Sequence, residues 1–435
     1  MLQLHWKRLF IPSMNQPSTA RMTHTVLILA VCISCLWLIN GLMIQKIRQW
    51  YATEVQFALL AGVIVGPVTH LVPIDSLGDV TTLMEWACRI TMAMALSSAA
   101  LQMERRFLED YSRPLAVIVI GGMVLMAAFT TVLIQITMAT GWALAFLLGW
   151  ILTPTDPVVT ATVVQGDQAK QLIPAPMRHA ITYESGINDG LASPMVMLAM
   201  ALWLSITQGA PLEGMHWLLM TVGYENLACI GAAYALGLIA GKALQKAHAA
   251  GWMSQSTLLP FALAFTLLLL FGLHMIGMNA IIGVFIGNLG LSHTVTENED
   301  LQQEEMQSTL ERLFTIPVFF LLGIVLPWQG WLSLGWLALL ATVLIVFLRR
   351  LPALLLLSPL LGPLKGIRTA AWLGWIGPLG VAALLYALEV REKADLELAW
   401  PLVTLVVVAS VVIHGSSSIV SARAYARHTD PDNRS

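Results

Sequence analysis

Long apolar runs alternate with short polar stretches along almost the whole chain. A helix needs about 20 residues to cross the hydrocarbon core of a bilayer. The runs at 25–43, 55–73, 83–101, 114–139, 142–164, 181–207, 216–241, 256–274, 277–292, 313–326, 331–349, 370–388 and 399–421 meet or approach that length. They predict thirteen transmembrane helices, the shortest at 277–292 and 313–326. The first run is too long for a signal-peptide core and has no small-residue cleavage site after it, so it reads as a retained span. Residues 1–24 then form a polar N-terminal tail, 25–421 the transmembrane domain and 422–435 a short C-terminal tail. The longest polar insertion, Ser292 to Ser308, contains TENEDLQQEEMQS with five acidic residues and reads as a solvated connection or a surface-lying helix.

Composition agrees with the pattern. At 57% hydrophobic and 11% charged residues, with a mean hydropathy of +0.75, the 435 residues have too little polar side chain to coat a soluble domain. The expected fold is an all-α polytopic membrane protein embedded in the lipid bilayer. A net charge of −2 without any Lys/Arg-rich run gives no reason to expect a nucleic-acid partner. Cys32, Cys35, Cys88 and Cys229 lie in apolar segments at no metal-ligand spacing and read as small buried hydrophobes.

The basic residues set the orientation. Seventeen Lys and Arg residues fall in the connections after odd-numbered spans. Five, namely Lys7, Arg8, Arg21, Arg391 and Lys393, fall on the other side, and Arg89 lies within a span. Positive charge is retained on the cytoplasmic side, which places the C-terminus in the cytoplasm and the N-terminus outside a cell (inner or plasma) membrane. Translation starting at Met22 would remove the three basic residues of the external tail.

The candidate chemistry lies between Trp150 and Met200, where Asp156, Glu184, Asn188 and Asp189 sit inside membrane-grade sequence. A carboxylate at membrane depth costs at least ~2.5 kcal/mol and is tolerated where it faces protein or a water-filled cavity. The fifth span also carries Pro154 and Pro157, which remove two backbone donors and disfavour helix at Thr153 and Asp156. The twelfth span has a second interruption, Gly377-Pro378-Leu379-Gly380. Spans 5 and 12 run in opposite directions, as expected if spans 1–6 and 8–13 are inverted repeats joined by span 7. Paired broken helices of this kind mark the substrate site of secondary transporters. On span 6, Ser185 and Asp189 are four residues apart, as are Glu184 and Asn188, so two oxygen-bearing pairs occupy neighbouring stripes. Asp156 serves either as a half-helix cap or as a cation ligand, and Glu184 either pairs with an arginine or binds the ion.

TPTDP at 153–157, ESGINDG at 184–190, the arginine turn Arg349-Arg350-Leu351-Pro352, GWIGPLG at 374–380 and SVVIHG at 410–415 resemble, in that order, the NhaP-type monovalent cation:proton antiporter family, which is sodium/hydrogen exchanger-like. The likeness extends over the spans from about residue 55 to 420. It implies thirteen spans, a homodimer, and exchange of Na⁺, K⁺ or Li⁺ for H⁺ with no cofactor beyond the transported ions. Carried over by motif, the cation ligands fall on Thr155 through its carbonyl, Asp156, Glu184, Ser185 and Asp189. Asn188 and one of Arg349 or Arg350 support Glu184. Many relatives have a basic residue where Leu379 stands; its absence, similar to fungal plasma-membrane antiporters, deprives the second broken helix of that charge.

The resulting expectation is alternating access around one working carboxylate, Asp189, which is neutralised by a proton or by a cation. Relatives that move two protons carry Asp-Asp where this chain has Asn188-Asp189, and an amide does not titrate, so 1:1 electroneutral exchange is expected. Two rivals use the same residues: an intramembrane aspartyl protease with Asp156 and Asp189 as its dyad, which lacks a GxGD motif here, and a cation channel. Arg89 reads as an ion pair or a gate, and His70, His274 and His414 as packing histidines. Trp328, Trp331 and Trp336 read as interfacial anchors.

Overall fold

A computed structural model describes residues 18–49, 52–72, 74, 77–103, 105–252, 258–294 and 297–429. Most of the tail at 1–24 and the last residues of the chain lie outside this range. The described residues form helices and connections, with no strand among them.

Helix α1 (Ser18–Gln49) carries the first apolar run and begins within the stretch read as a tail. α2 (Glu54–Val63) opens on a capping box in which Thr53 and Gln56 satisfy each other's backbone N–H, and it continues through a wider π-type turn, Ile64–Val68, around Pro67. α3 (Val80–Leu101) is capped by the Asp79 carboxylate, which accepts from Thr81 and Thr82 N–H. α4 (Arg105–Ala116) passes through another π-type turn, Val117–Gly121, into α5 (Gly122–Met138).

The fifth predicted span is two half-helices, α6 (Trp142–Ile151) and α7 (Pro157–Val164). The short α8 (Asp167–Leu172) follows, and then α9 (Ala175–Gln208), 34 residues long and continuous through Pro194. A π-type coil, Trp217–Ala228, precedes α10 (Cys229–Ala249). α11 (Leu258–Met275) and α12 (Ala280–Ser292) come next, α12 being capped by Asn279. α13 (Glu297–Ile324) joins the acidic stretch and the tenth predicted span in one helix, so that stretch is not a separate connection. α14 (Trp328–Leu348), α15 (Leu351–Leu357), α16 (Ile367–Trp375) and α17 (Val381–Ala394) follow, the last two being the halves of the twelfth predicted span. α18 (Ala399–Thr429) extends helix beyond 421 into the stretch read as a tail.

Among the described residues, six helical segments are long and apolar enough to cross a membrane: Thr23–Met43, Glu109–Met138, Ala175–Gln208, Gly214–Ala249, Trp328–Leu360 and Ala399–Arg427. Shorter apolar helices lie at Glu54–Val68, Trp142–Ile151, Leu259–Met275 and Ala280–Ser292.

The helices pack through small residues, as membrane helices do when apolar surroundings leave close contact as the main attraction. α13 crosses α2 at Gly62 and Gly323, where a Cβ on either glycine would run into the other helix's backbone. α13 also packs along α3, and α3 along α12. On the other flank, α6 lies against α5 and α9, while α18 packs on α14, α17 and α7. The two half-helix pairs therefore face each other inside the bundle with α9 beside them.

Candidate functional site

Both interruptions occur where the sequence removes the helical option. Pro154 and Pro157 lack N–H groups, and residues 153–156 leave helical geometry between α6 and α7. Gly377, Pro378 and Gly380 do the same between α16 and α17. Two helix C-termini and two helix N-termini thus meet away from water, and each leaves backbone groups unmatched. The two stretches touch directly, because the Asp156 N–H donates to the Pro378 carbonyl at 2.8 Å.

Two side chains serve these four ends. The Asp156 carboxylate accepts from Val159 N–H at the start of α7 (3.4 Å) and from Val381 N–H at the start of α17 (2.9 Å). Arg349 does the converse. Its Nη1 donates to the carbonyls of Leu152, Thr153 and Pro154 (2.5, 3.0 and 3.3 Å), and its Nη2 donates to Gly377 (2.6 Å). The anion faces the positive ends of two half-helices and the cation the negative ends. Leu379 supplies no charge and is buried, and its N–H donates to Ser410 Oγ at 2.9 Å. Arg349 accordingly provides positive charge to the second interruption from a different helix end. Gly380 is required for the close approach: a Cβ there would fall on the Asp156 carboxylate, and one at Gly377 would fall on the Arg350 side chain.

α9 presents its polar stripe to this crossing. Glu184 is chelated by both terminal nitrogens of Arg350, with Nη2 to Oε2 at 2.6 Å, while Arg350 Nε donates to the Leu373 carbonyl at 3.0 Å. One helical turn on, Asn188 Nδ2 donates to Thr155 Oγ1 (2.8 Å) and its Oδ1 accepts from Thr155 N–H (3.3 Å). The hydroxyls of Thr155 and Ser185 are 3.0 Å apart. Asn188 thereby ties α9 to the first interruption. Asp189 differs from all of these: it is 3% exposed, and among the described residues its Oδ1 is buried without a hydrogen-bond partner.

The sequence-derived residues Thr155, Asp156, Glu184, Ser185, Asn188, Asp189, Arg349 and Arg350 all lie in this one buried cluster. The two arginines divide the work: Arg350 holds Glu184, and Arg349 holds helix ends. Arg89 forms an ion pair, bridging Glu85 and Glu389 at 2.6 Å to each. His414 is buried with its Nδ1 3.0 Å from Ser410 Oγ, and His274 stacks edge-on against Trp86. Sequence reasoning missed Tyr386, whose hydroxyl donates to the Asp189 carbonyl and which lines a cavity with Arg89, Ser193 and Glu389. A tyrosine in an apolar run carries no signal of its own, and its i+3 relation to Glu389 was the nearest available clue. A cluster of hydroxyls, carbonyls and carboxylates is a hard oxygen environment, suited to an alkali cation rather than to a soft metal.

Comparison with known proteins gives the same direction. The family described as sodium/hydrogen exchanger, transmembrane, matches residues 27–420. The chain is 26% identical over 412 residues to Na(+)/H(+) antiporter 2 of Zygosaccharomyces rouxii, covering 86% of this chain and 50% of that protein. It is 23% identical over 405 residues to a Na(+)/H(+) antiporter of Saccharomyces cerevisiae, covering 85% and 40%. The chain spans about half the length of these yeast relatives. Its fold is similar to that of the sodium proton antiporter MjNhaP1 from Methanocaldococcus jannaschii, with a TM-score of 0.71 at 17% identity over 92% of this chain and 98% of that one.

Proposed function

Because the chain belongs to the sodium/hydrogen exchanger family, we propose that it is a secondary antiporter exchanging Na⁺, or K⁺ or Li⁺, for H⁺. The observation that carries the reading is the unpartnered oxygen of Asp189 beside a cluster of satisfied polar groups. An anion away from water needs a compensating charge. A proton or an alkali cation completes Asp189, and occupancy by one excludes the other. Thr155, Ser185, Asp156 and Glu184 supply the neighbouring oxygens, with Asn188, Arg349 and Arg350 as the supporting network. The transported ions are substrates, and the mechanism asks for no resident cofactor.

The architecture that fits this reading has thirteen spans in two inverted repeats, with α6/α7 and α16/α17 as broken helices crossing at mid-membrane. Rocking of one bundle against the other then exposes the site to alternate sides. The protein works as a homodimer in the cell membrane, with the N-terminus outside and the C-terminus in the cytoplasm.

The experiment is proton release from acid-loaded everted vesicles on adding NaCl, KCl or LiCl. An exchanger releases the gradient in a cation-dependent, saturable way. A channel would dissipate it only as an electrical leak, and an aspartyl protease not at all. Absence of saturable cation-dependent release overturns the reading.

A further inference from the structure

Two buried carboxylates play no part in the scheme above; Glu389 is paired with Arg89, and the other is Glu311. Glu311 lies on α13 where the helix passes from the acidic stretch into apolar sequence. It is 3% exposed, and among the described residues its Oε1 has no hydrogen-bond partner. The helix around it is fixed in place: Thr315 Oγ1 donates to the Glu311 carbonyl at 2.8 Å, and Thr91 Oγ1 of α3 donates to the Phe314 carbonyl at 3.1 Å. The adjacent cation is directed elsewhere, since Arg312 Nε lies 3.7 Å from Glu54 on α2.

The surroundings of Glu311 come from the helices that build the site. Ser98 of α3 and Gln165, just after α7, are its polar side-chain neighbours, and the charge of Asp156 is within electrostatic reach. Ser98 Oγ accepts from Gln102 Nε2 at 2.9 Å, and the Gln102 carbonyl accepts from the Tyr183 hydroxyl at 3.1 Å, which links this corner to α9 one residue before Glu184. The other buried carboxylates of the crossing fall into two kinds. Glu184 and Asp156 have their oxygens occupied by Arg350 and by backbone N–H groups. Asp189 has an oxygen left over, and Glu311 shares that condition.

We propose that Glu311 is a second station for the transported monovalent cation, on the flank where α3, α7, α9 and α13 meet, between the acidic end of α13 and Asp156. Its free oxygen and the Ser98 hydroxyl oxygen are hard-oxygen ligands of the kind alkali cations take. The station holds an ion on its way to Asp189 and lies outside the set that supports the crossing. This rests on the antiport reading, so the test separates the two.

The test measures equilibrium binding of ²²Na⁺ to detergent-purified protein. Asp189→Asn leaves the Glu311 station intact, so weak saturable binding remains in that variant and disappears in Asp189→Asn/Glu311→Gln. Identical binding by the two variants overturns the proposal, whatever the vesicle assay reports. In proteoliposomes that exchange, Glu311→Gln raises the apparent Na⁺ KM about tenfold, the weight of one charge-assisted contact. Its maximal rate stays within about twofold of wild type if the contact binds the ion without supporting the fold. Glu311→Asp, which keeps the carboxylate, restores part of the affinity. An unchanged KM in Glu311→Gln overturns the station. Loss of exchange by wild type itself would instead overturn the antiport reading, and the binding experiment would still decide Glu311. Thermal melting of Glu311→Gln within a few degrees of wild type excludes a folding defect as the cause.

Discussion

At the two helix interruptions, the charges present are matched by backbone groups, whereas in the middle of α9 a carboxylate oxygen of Asp189 is buried without a match among the described residues. Asp156 accepts from backbone N–H groups at the starts of two half-helices, and Arg349 donates to backbone carbonyls at both interruptions. Asp189 lies on a continuous helix, and among the described residues one oxygen of its side chain has no partner, so it is open to something that arrives. The comparison separates charge that maintains geometry from charge that turns over. Removing the first kind should unfold or distort the crossing, and removing the second should stop exchange without loosening the fold.

Asp189→Asn gives the largest effect on exchange. Shape is kept while the charge and the exchangeable proton are lost, so cation-dependent proton release falls to background in vesicles while membrane insertion is kept. Exchange above a few per cent of wild type would put Asp189 with the structural charges. Glu184→Ala comes next, and its effect is on stability. It leaves Arg350 buried and unpaired, a loss of ~3–5 kcal/mol by the usual size of such breaks, and the melting temperature in detergent should drop with the activity. A wild-type melting temperature would mean the pair is not structural.

Gly380→Ala tests the crossing without changing any charge. The added methyl occupies the space of the Asp156 carboxylate, and overpacking of this kind costs ~1–3 kcal/mol. The melting temperature should fall, with exchange reduced in proportion to the folded fraction. Arg349→Lys is milder. A lysine cannot span both carbonyl sets as a guanidinium fork does, so one set loses charge-assisted hydrogen bonds worth ~1.5 kcal/mol, again read by melting. Glu184→Ala should exceed Arg349→Lys, and the reverse order would mean that the helix ends matter more than the pair.

The smallest expected effect is none. If Asp189 is the one carboxylate that alternates between proton and cation, a full cycle moves no net charge. A clamped potential of about −100 mV, worth ~2.3 kcal/mol per net charge moved, then leaves the reversal point of exchange in proteoliposomes unchanged. A displaced reversal point would mean that a second acid changes its protonation in each cycle. Restoration of the unshifted point by Glu311→Gln would identify that acid.

Much of this was legible in the chain itself. Apolar runs of membrane length dictate helices, because lipid offers backbone groups no other partner, and α3, α5, α9, α12 and α18 lie over predicted runs. Proline and glycine are local in their effect, so both interruptions could be read from Pro154, Pro157 and the Gly377–Gly380 segment. The cost of a carboxylate in hydrocarbon marked Asp156, Glu184 and Asp189 before any geometry was known. The boundaries were less legible: the acidic stretch before span 10 reads as a solvated connection or a surface-lying helix, and it is the start of α13, continuous with the apolar span, because glutamate and glutamine have high helix propensity.

Partnership was decided in three dimensions. Arg349 and Arg350 are adjacent and chemically identical, and no local rule separates them. Their successive positions at the turn into α15 point them in different directions, one to Glu184 and one to helix ends contributed by residues 152–154 and 377. Leu379 reads as a missing charge, and the same interruption is reached by the Arg349 guanidinium, which donates to Gly377, 28 residues away in the chain. Glu311 is one more acid near an acidic run until α13 buries it against α3. Residue type and spacing determine where a helix forms and where it breaks, because those energies are local. Which buried charge is matched depends on groups hundreds of residues apart, so in this protein only the packed bundle determines which carboxylates are left open.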